Sequence, residues 1–266
     1  MYDHIFRKYD IRGIVSQDLL LEDVYSFGRA LATYFLNRNA SLTDVVIAMD
    51  GRNHSHAIKE KLTRSLCESG LNVAFCDICP TPVFYFALHT KKEYSAGVMI
   101  TASHNGKEYN GFKICYGKDL ISADEIMVLR DVYKQKSYHE SCTKGIEKAL
   151  SIIPEYISWL EQAFSHLKKS SFQATIDCGN GASAVIIPEL VKRMEWHNVR
   201  VLYEDIDGDF PNRSPDPTKK GALSGLAQAL AITGGSCGVA FDGDADRVVA
   251  MTQQGTVLAG DSLLAL

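Results

Sequence analysis

Val45-Val46-Ile47-Ala48-Met49 is an unbroken apolar run, short enough to be a strand and apolar enough to be buried on both faces of a sheet. Downstream, Ser55 to Ser69 has a helical pattern, and Gly70 stands where a helix stop takes positive φ without a Cβ penalty. Asn72 to Cys76 reads as a second strand. Pro80-Thr81-Pro82 then forces an extended turn before a helix at Val83 to His89, and Ala96 to Ile100 is a third strand. Upstream, Leu21, Val24, Phe27, Leu31 and Phe35 lie on one face of a helix running from Leu21 to Phe35. The order βαβαβ with continuously apolar strands predicts a mostly parallel sheet covered on both faces.

A polar stretch, Lys134 to Lys148, reads as a helix end followed by a linker and places a domain boundary near residue 150. The pattern then restarts. A helix at Pro154 to Phe164 leads to strand Ala174 to Asp177, helix Ala184 to Met194 and strand Val199 to Tyr203. A long loop, helix Leu223 to Ile232 and strand Cys237 to Phe241 follow. The expected fold class is α/β, with two similar mixed, mostly parallel three-layer α/β/α domains. No strict repeat and no low-complexity segment is visible.

The 266 residues carry 28 Lys+Arg against 32 Asp+Glu, a net charge of −4, which gives no general pull on nucleic acid or on an anionic membrane. No apolar run reaches the roughly 18 residues that span a bilayer, and Met1 to Lys8 lacks a signal peptide's apolar stretch. The seven cysteines are odd in number and scattered, the usage of a reduced cytoplasmic protein. Cys76-Asp77-Ile78-Cys79 is a lone CxxC that cannot close a tetrahedral zinc site; two buried thiols at a strand end are favoured over a redox pair.

Three stretches carry chemistry. Asp242-Gly243-Asp244-Ala245-Asp246-Arg247 follows an apolar strand, so its alternating carboxylates lie where open α/β sheets place ligands. An all-oxygen set favours Mg2+ or Ca2+ over zinc, while the competing reading is a solvated acidic turn. Arg247 and Gln253 fall where a calcium-binding EF-hand loop would need Gly and Glu, which removes that motif. Asp205-Ile206-Asp207-Gly208-Asp209 fails the same test and reads as a solvated turn. The second stretch, Thr101-Ala102-Ser103-His104-Asn105-Gly106, offers a serine hydroxyl that needs a base or metal to become a nucleophile, and otherwise is a polar turn. The third, Phe6-Arg7-Lys8-Tyr9-Asp10-Ile11-Arg12-Gly13, holds a phosphate or is a charged arm; Arg12 beside Gly13 is its better phosphate candidate. A competing signal is Asp177-Cys178-Gly179-Asn180-Gly181-Ala182-Ser183-Ala184 after a strand, with Glu204 downstream, the outline of a dinucleotide-binding turn and hence of an oxidoreductase.

Taken together, these stretches resemble the α-D-phosphohexomutase family, and within it the bacterial phosphomannomutase/phosphoglucomutase branch, over the N-terminal part only. The N-terminal motif, the serine loop with Tyr109-Asn110-Gly111-Phe112-Lys113-Ile114, the Asp177 to Gly181 turn, Phe210-Pro211-Asn212-Arg213-Ser214-Pro215-Asp216-Pro217 and the Asp242 loop all match family segments in order.

The resemblance implies a phosphoserine enzyme that moves a phosphoryl group between the 1- and 6-positions of a hexose phosphate through a hexose bisphosphate. Ser103 carries the phosphoryl group; Asp242, Asp244 and Asp246, with Ser103, hold Mg2+. Arg247 orients the phosphoserine, His104 and Lys113 are candidates for proton transfer, and Tyr9, Arg12 and Lys113 contact the substrate.

It also implies domains at 1–150 and 151–251, with 252–266 the truncated start of a third, an N-capped helix at Asp261 to Leu266. The missing sugar-reading parts point to a C-terminal half as partner, or to a non-catalytic fragment that binds metal or phosphosugar. Three positions depart from the family pattern. Gly106 replaces a proline, Ala245 a frequent glycine with a methyl that looks tolerable, and Arg213-Ser214 a frequent histidine position to which no role attaches.

Overall fold

The computed structural model describes residues 1–264. The chain divides into two compact units, one formed by Met1–Ala102 with Glu108–Ile152, the other by Ser103–Lys107 with the chain from Ile153 onward.

The first unit contains, in order, β1 (Ile11–Ile14), α1 (Leu21–Arg38), β2 (Asp44–Met49), α2 (Ser55–Glu68), β3 (Asn72–Ile78), α3 (Thr81–Thr90) and β4 (Ala96–Ile100). β5 (Tyr109–Tyr116), β6 (Asp119–Leu120), α4 (Ala123–Gln135) and β7 (Glu147–Ala149) complete it. The sheet order is β1-β5-β4-β2-β3-β7, with β6 paired to β5. β4, β2, β3 and β7 run parallel, as the βαβαβ pattern predicts, while β5 turns back antiparallel between β4 and β1.

Alternation along the strands sorts the side chains into two layers. Val45, Ile47 and Met49 of β2, with Val98 and Ile100 of β4, join the core under α1, α2 and α4. Phe27 of α1 and Phe112 of β5 stack there, ring centroids 4.7 Å apart. On the opposite face α3 lies so close to β4 that a Cβ on Gly97 would meet Phe84 at 2.8 Å. Helices on both faces explain why β2 and β4 read as solid apolar runs rather than alternating ones.

The polar stretch before residue 150 is not simply a linker. Glu147–Ala149 forms β7, pairing parallel to β3 at the sheet edge. All three of its residues are exposed, so no apolar pattern marks the strand, and charges suit an unprotected edge.

The second unit holds α5 (Ile153–Ala163), β8 (Ala174–Asp177), α6 (Ile187–Arg193), β9 (Val199–Leu202), α7 (Ser224–Thr233), β10 (Cys237–Phe241), β11 (Val248–Thr252) and α8 (Gly260–Leu264). Its sheet runs β11-β10-β8-β9, parallel except for β11. Leu226 and Leu230 of α7 pack on Ala240 and Met251, and α5 packs on α6.

The helix expected over Ala184 to Met194 is broken into a 3-10 turn, Ala182–Val185, and α6. Pro188 is the cause: its missing N–H and its ring confine it to a first helical turn. α8 begins at Gly260, so Asp261 lies within its first turn rather than at the cap; Ala265 and Leu266 lie outside the described residues.

Among the described residues no helix is long and apolar enough to cross a membrane. Cys76 and Cys79 are buried free thiols at the end of β3, and burial alone pushes Cys76 up to about 12, far from a reactive thiolate.

Candidate active site

The carboxyl ends of β4 and β10 deliver the two loops that matter. After β10, the chain from Asp242 to Arg247 curls back on itself: the Asp242 N–H donates to the Arg247 carbonyl at 3.2 Å, and the Arg247 N–H donates to Asp242 Oδ1 at 3.2 Å. The curl brings one carboxylate oxygen from each of Asp242, Asp244 and Asp246 within 4.8 Å of the others. Asp242 and Asp244 are buried. Burial, reinforced by the charges of Asp244 and Asp246, raises Asp242 to about 7. Crowded all-oxygen donors that repel one another, two of them buried and Asp246 exposed, fit a hard divalent cation such as Mg2+. Ala245 takes φ +57° here, the left-handed region in which a methyl is strained, so the sequence expectation that it is merely tolerable needs correcting.

Ser103 follows β4 and packs with the second unit. It too is left-handed, φ +53°, and fully buried. Its hydroxyl donates to Asp242 Oδ2 at 2.8 Å. His104 Nδ1 lies 3.4 Å from Ser103 Oγ and 2.8 Å from Arg247 Nη1. A guanidinium only donates, so Nδ1 facing Arg247 is the lone-pair nitrogen of the imidazole. The same unit has a cleft of about 790 Å³ lined by His104, Asp242, Arg247, Lys219 and Lys220, with an apolar wall at Met251.

Within the first unit, Arg12 sits on β1, 5% exposed, paired to Asp10 at 2.6 Å and donating at 3.0 Å to the carbonyl of Ala102, the residue before Ser103. β1 can pair this closely to β5 because residue 111 is glycine; a Cβ there would meet the Ile11 carbonyl at 2.0 Å. Lys113 is buried on β5 and pairs in register with Met99. Tyr9 is 68% exposed, with the Lys8 ammonium over its ring. The structure therefore gathers Ser103, His104, Asp242, Asp244, Asp246 and Arg247 in one unit, and describes Tyr9, Arg12 and Lys113 in the other.

Sequence reasoning missed two buried networks. In the first unit the Asp50 carboxylate, 1% exposed, accepts from the Thr101 hydroxyl at 2.7 Å, Arg52 Nε at 3.0 Å, the Arg52 N–H at 3.2 Å and the Ser55 hydroxyl at 3.1 Å. Arg52 Nη1 donates onward to the Tyr109 carbonyl, and Asn110 Nδ2 donates to Ser55 Oγ. Thr101 and Tyr109 flank the serine loop in sequence, so both stems are tied to one carboxylate. The available signal was a polar cluster, Asp50 to Ser55, at the carboxyl end of a solidly apolar strand.

The second network centres on Arg213. Its guanidinium lies in the notch of Gly179, where a Cβ would meet it at 2.4 Å, and Gly179 has φ +56°. The dinucleotide reading fails here, because Arg213 fills the turn a pyrophosphate would need and a 3-10 turn, not an α-helix N-terminus, follows it.

The family models for phosphoglucomutase/phosphomannomutase alpha/beta/alpha domains I and II match residues 3–138 and 154–255. The chain belongs to the phosphoglucomutase/phosphomannomutase family. It is 36% identical over 264 residues to the phosphomannomutase/phosphoglucomutase of Pseudomonas syringae pathovar tomato, covering 99% of this chain and 55% of that one. It is 35% identical to a phosphoglucomutase of Neisseria meningitidis serogroup B, covering 98% and 56%. A crystal structure of a family protein from Burkholderia thailandensis superposes with a TM-score of 0.88 at 29% identity, over 98% of this chain and 57% of that chain. The chain thus spans little more than half the length of the curated relatives it matches.

Proposed function

We propose that this chain supplies the phosphoserine and metal-binding part of a phosphohexomutase, which moves a phosphoryl group between the 1- and 6-positions of a hexose phosphate through a hexose bisphosphate. The observation that carries the reading is the buried Ser103 hydroxyl at 2.8 Å from Asp242, which is one of a cluster of three carboxylates. Asp242, Asp244 and Asp246, with an oxygen on Ser103, hold Mg2+. Bound there, the cation neutralises charge on the phosphoryl oxygens.

Ser103 donates the phosphoryl group: its Oγ–P bond breaks as an O–P bond forms to a sugar hydroxyl. That hydroxyl's proton passes to a base, and one proton is delivered to Ser103 Oγ as it departs from phosphorus, so Ser103 ends as the free alcohol and no net proton is lost. His104 and Lys113 are the candidates for moving the proton. Arg247 steers the phosphoserine through its place beside His104. Arg12 and Tyr9, with Lys113, contact the substrate. Return of the second phosphoryl group to Ser103 completes the cycle. The organisation proposed with this reading is 1–150, 151–251 and 252–266, the last beginning a third domain, with the sugar-selecting contacts supplied by a C-terminal half.

The test is conversion of mannose 1-phosphate to mannose 6-phosphate. We expect little turnover by the 266 residues alone, recovery on adding the C-terminal part of a relative, and loss in Ser103→Ala. Robust turnover that survives Ser103→Ala overturns the proposal.

A further inference from the structure

Arg213 is held far more firmly than a loop residue needs to be. Its side chain is 2% exposed and pairs with the fully buried Asp177 at 2.9 Å. Nη1 donates to the Ser214 carbonyl at 2.9 Å, and Nη2 donates to the Phe241 carbonyl at 2.7 Å and the Asp177 carbonyl at 3.4 Å. Phe241 immediately precedes Asp242. On the other side of Asp242, the Gly243 carbonyl accepts from the Ala182 N–H at 2.9 Å. Ala182 belongs to the turn that Asp177 shapes by accepting the Gly179 N–H at 2.8 Å. The carbonyls flanking Asp242 are thus both fixed, one by Arg213 and one by the turn wrapped around Arg213.

We propose that Arg213, neutralised by Asp177, is a positioning residue that aims the Asp242 carboxylate for metal binding. The proposal rests on the metal-site reading above. The five-donor guanidinium fork reaches Asp177, Phe241 and Ser214 together, which a single imidazole could not do.

Charge and position make opposite predictions. A cation close to a metal loop opposes a second cation, so if Arg213 acted by charge its removal would tighten metal binding. If it acts by fixing the loop, its removal weakens binding, as loss of groups that orient metal ligands does by about 10- to 100-fold.

The experiment measures Mn2+ binding to the full 266-residue chain by electron paramagnetic resonance of the free ion, with circular dichroism on each variant. The wild-type chain is expected to bind Mn2+, and Asp242→Ala to abolish it. Arg213→Ala should weaken binding at least about tenfold, and low-millimolar guanidinium should restore most of the loss by refilling the notch. Arg213→Lys keeps the charge and much of the volume and serves if the alanine variant does not fold; it should remain weak, because an ammonium cannot bridge the same carbonyls. A folded Arg213→Lys chain that binds Mn2+ as wild type does, or an Arg213→Ala chain that binds more tightly, overturns the positioning role alone. Absence of Mn2+ binding in the wild type, or binding unaffected by Asp242→Ala, overturns the metal reading and this inference with it.

Discussion

The two units each bury an arginine–aspartate pair next to a candidate catalytic loop, and the pairs are built differently. Asp50 and Arg52 are two residues apart on the turn after β2, and the Asp50 carboxylate accepts four hydrogen bonds. Asp177 and Arg213 come from segments far apart in sequence. Asp177 Oδ2 is buried without a hydrogen-bond partner among the described residues, and burial raises the Asp177 pKa despite Arg213. Each arginine donates to a backbone carbonyl in the loop region, Tyr109 for Arg52 and Phe241 for Arg213. The first pair is a saturated local clamp. The second is an incompletely satisfied one that joins three segments. The stems at Thr101 and Tyr109 are therefore held by a network that stabilises the first unit outright, and the Asp242 loop by one whose value lies more in geometry than in stability.

The sharpest way to break this contrast is Asp50→Ala. It leaves Arg52 as a buried, uncompensated cation and should destabilise the chain by about 3–5 kcal/mol in urea unfolding. Proteolysis between Ser103 and Lys107 should rise with it. A loss below about 1 kcal/mol would show that the clamp is not saturated in the sense claimed.

Next in size is the metal loop's own repulsion. Asp242 titrates near 7 in the folded chain against an ordinary 3.8, so the folded state holds the extra proton between those values. Metal-free stability should therefore fall as pH rises from about 4 to about 7. Asp242→Asn should flatten that decline and raise stability at pH 8 by at most ~4 kcal/mol. Thermal melts from pH 5 to pH 8 without metal check this, and a rise in stability over that range contradicts it.

Asp177→Asn should cost less than Asp50→Ala, about 1–3 kcal/mol, because ionised Asp177 already bears an uncompensated desolvation penalty. Equal losses from the two would erase the distinction. The smallest effect expected is from Ala245→Gly. Releasing a methyl from φ +57° should stabilise by roughly 1 kcal/mol, a shift in urea midpoint without a change in slope.

Where the sequence spoke through local pattern, it was legible. Ala96–Ile100, Ala174–Asp177 and Cys237–Phe241 are strands with the expected bounds; the first is buried along its whole length, and that burial on both faces is what leaves an apolar run. The Asp242 curl was legible too, as three carboxylates at alternate positions directly after an apolar strand. β7 was not, because an edge strand exposed on both faces carries no hydrophobic period. The break at Pro188 was legible in principle but was hidden by the helical pattern around it. Arg213 and Asp50 were missed for a different reason. Their roles depend on which segments the fold brings together: β2 beside β4, and the Phe210 to Pro217 stretch beside the Asp177 turn. Neither adjacency has a local signature.

The central claim is that Ser103 is the phosphoryl carrier beside a carboxylate metal cluster. The most direct measurement is intact mass with peptide mapping after the chain is exposed to a hexose 1,6-bisphosphate and Mg2+. The account predicts a gain of one phosphoryl group on Ser103, removed by phosphatase and absent in Ser103→Ala. An unmodified chain, or a phosphoryl group at another residue that persists in Ser103→Ala, would contradict it.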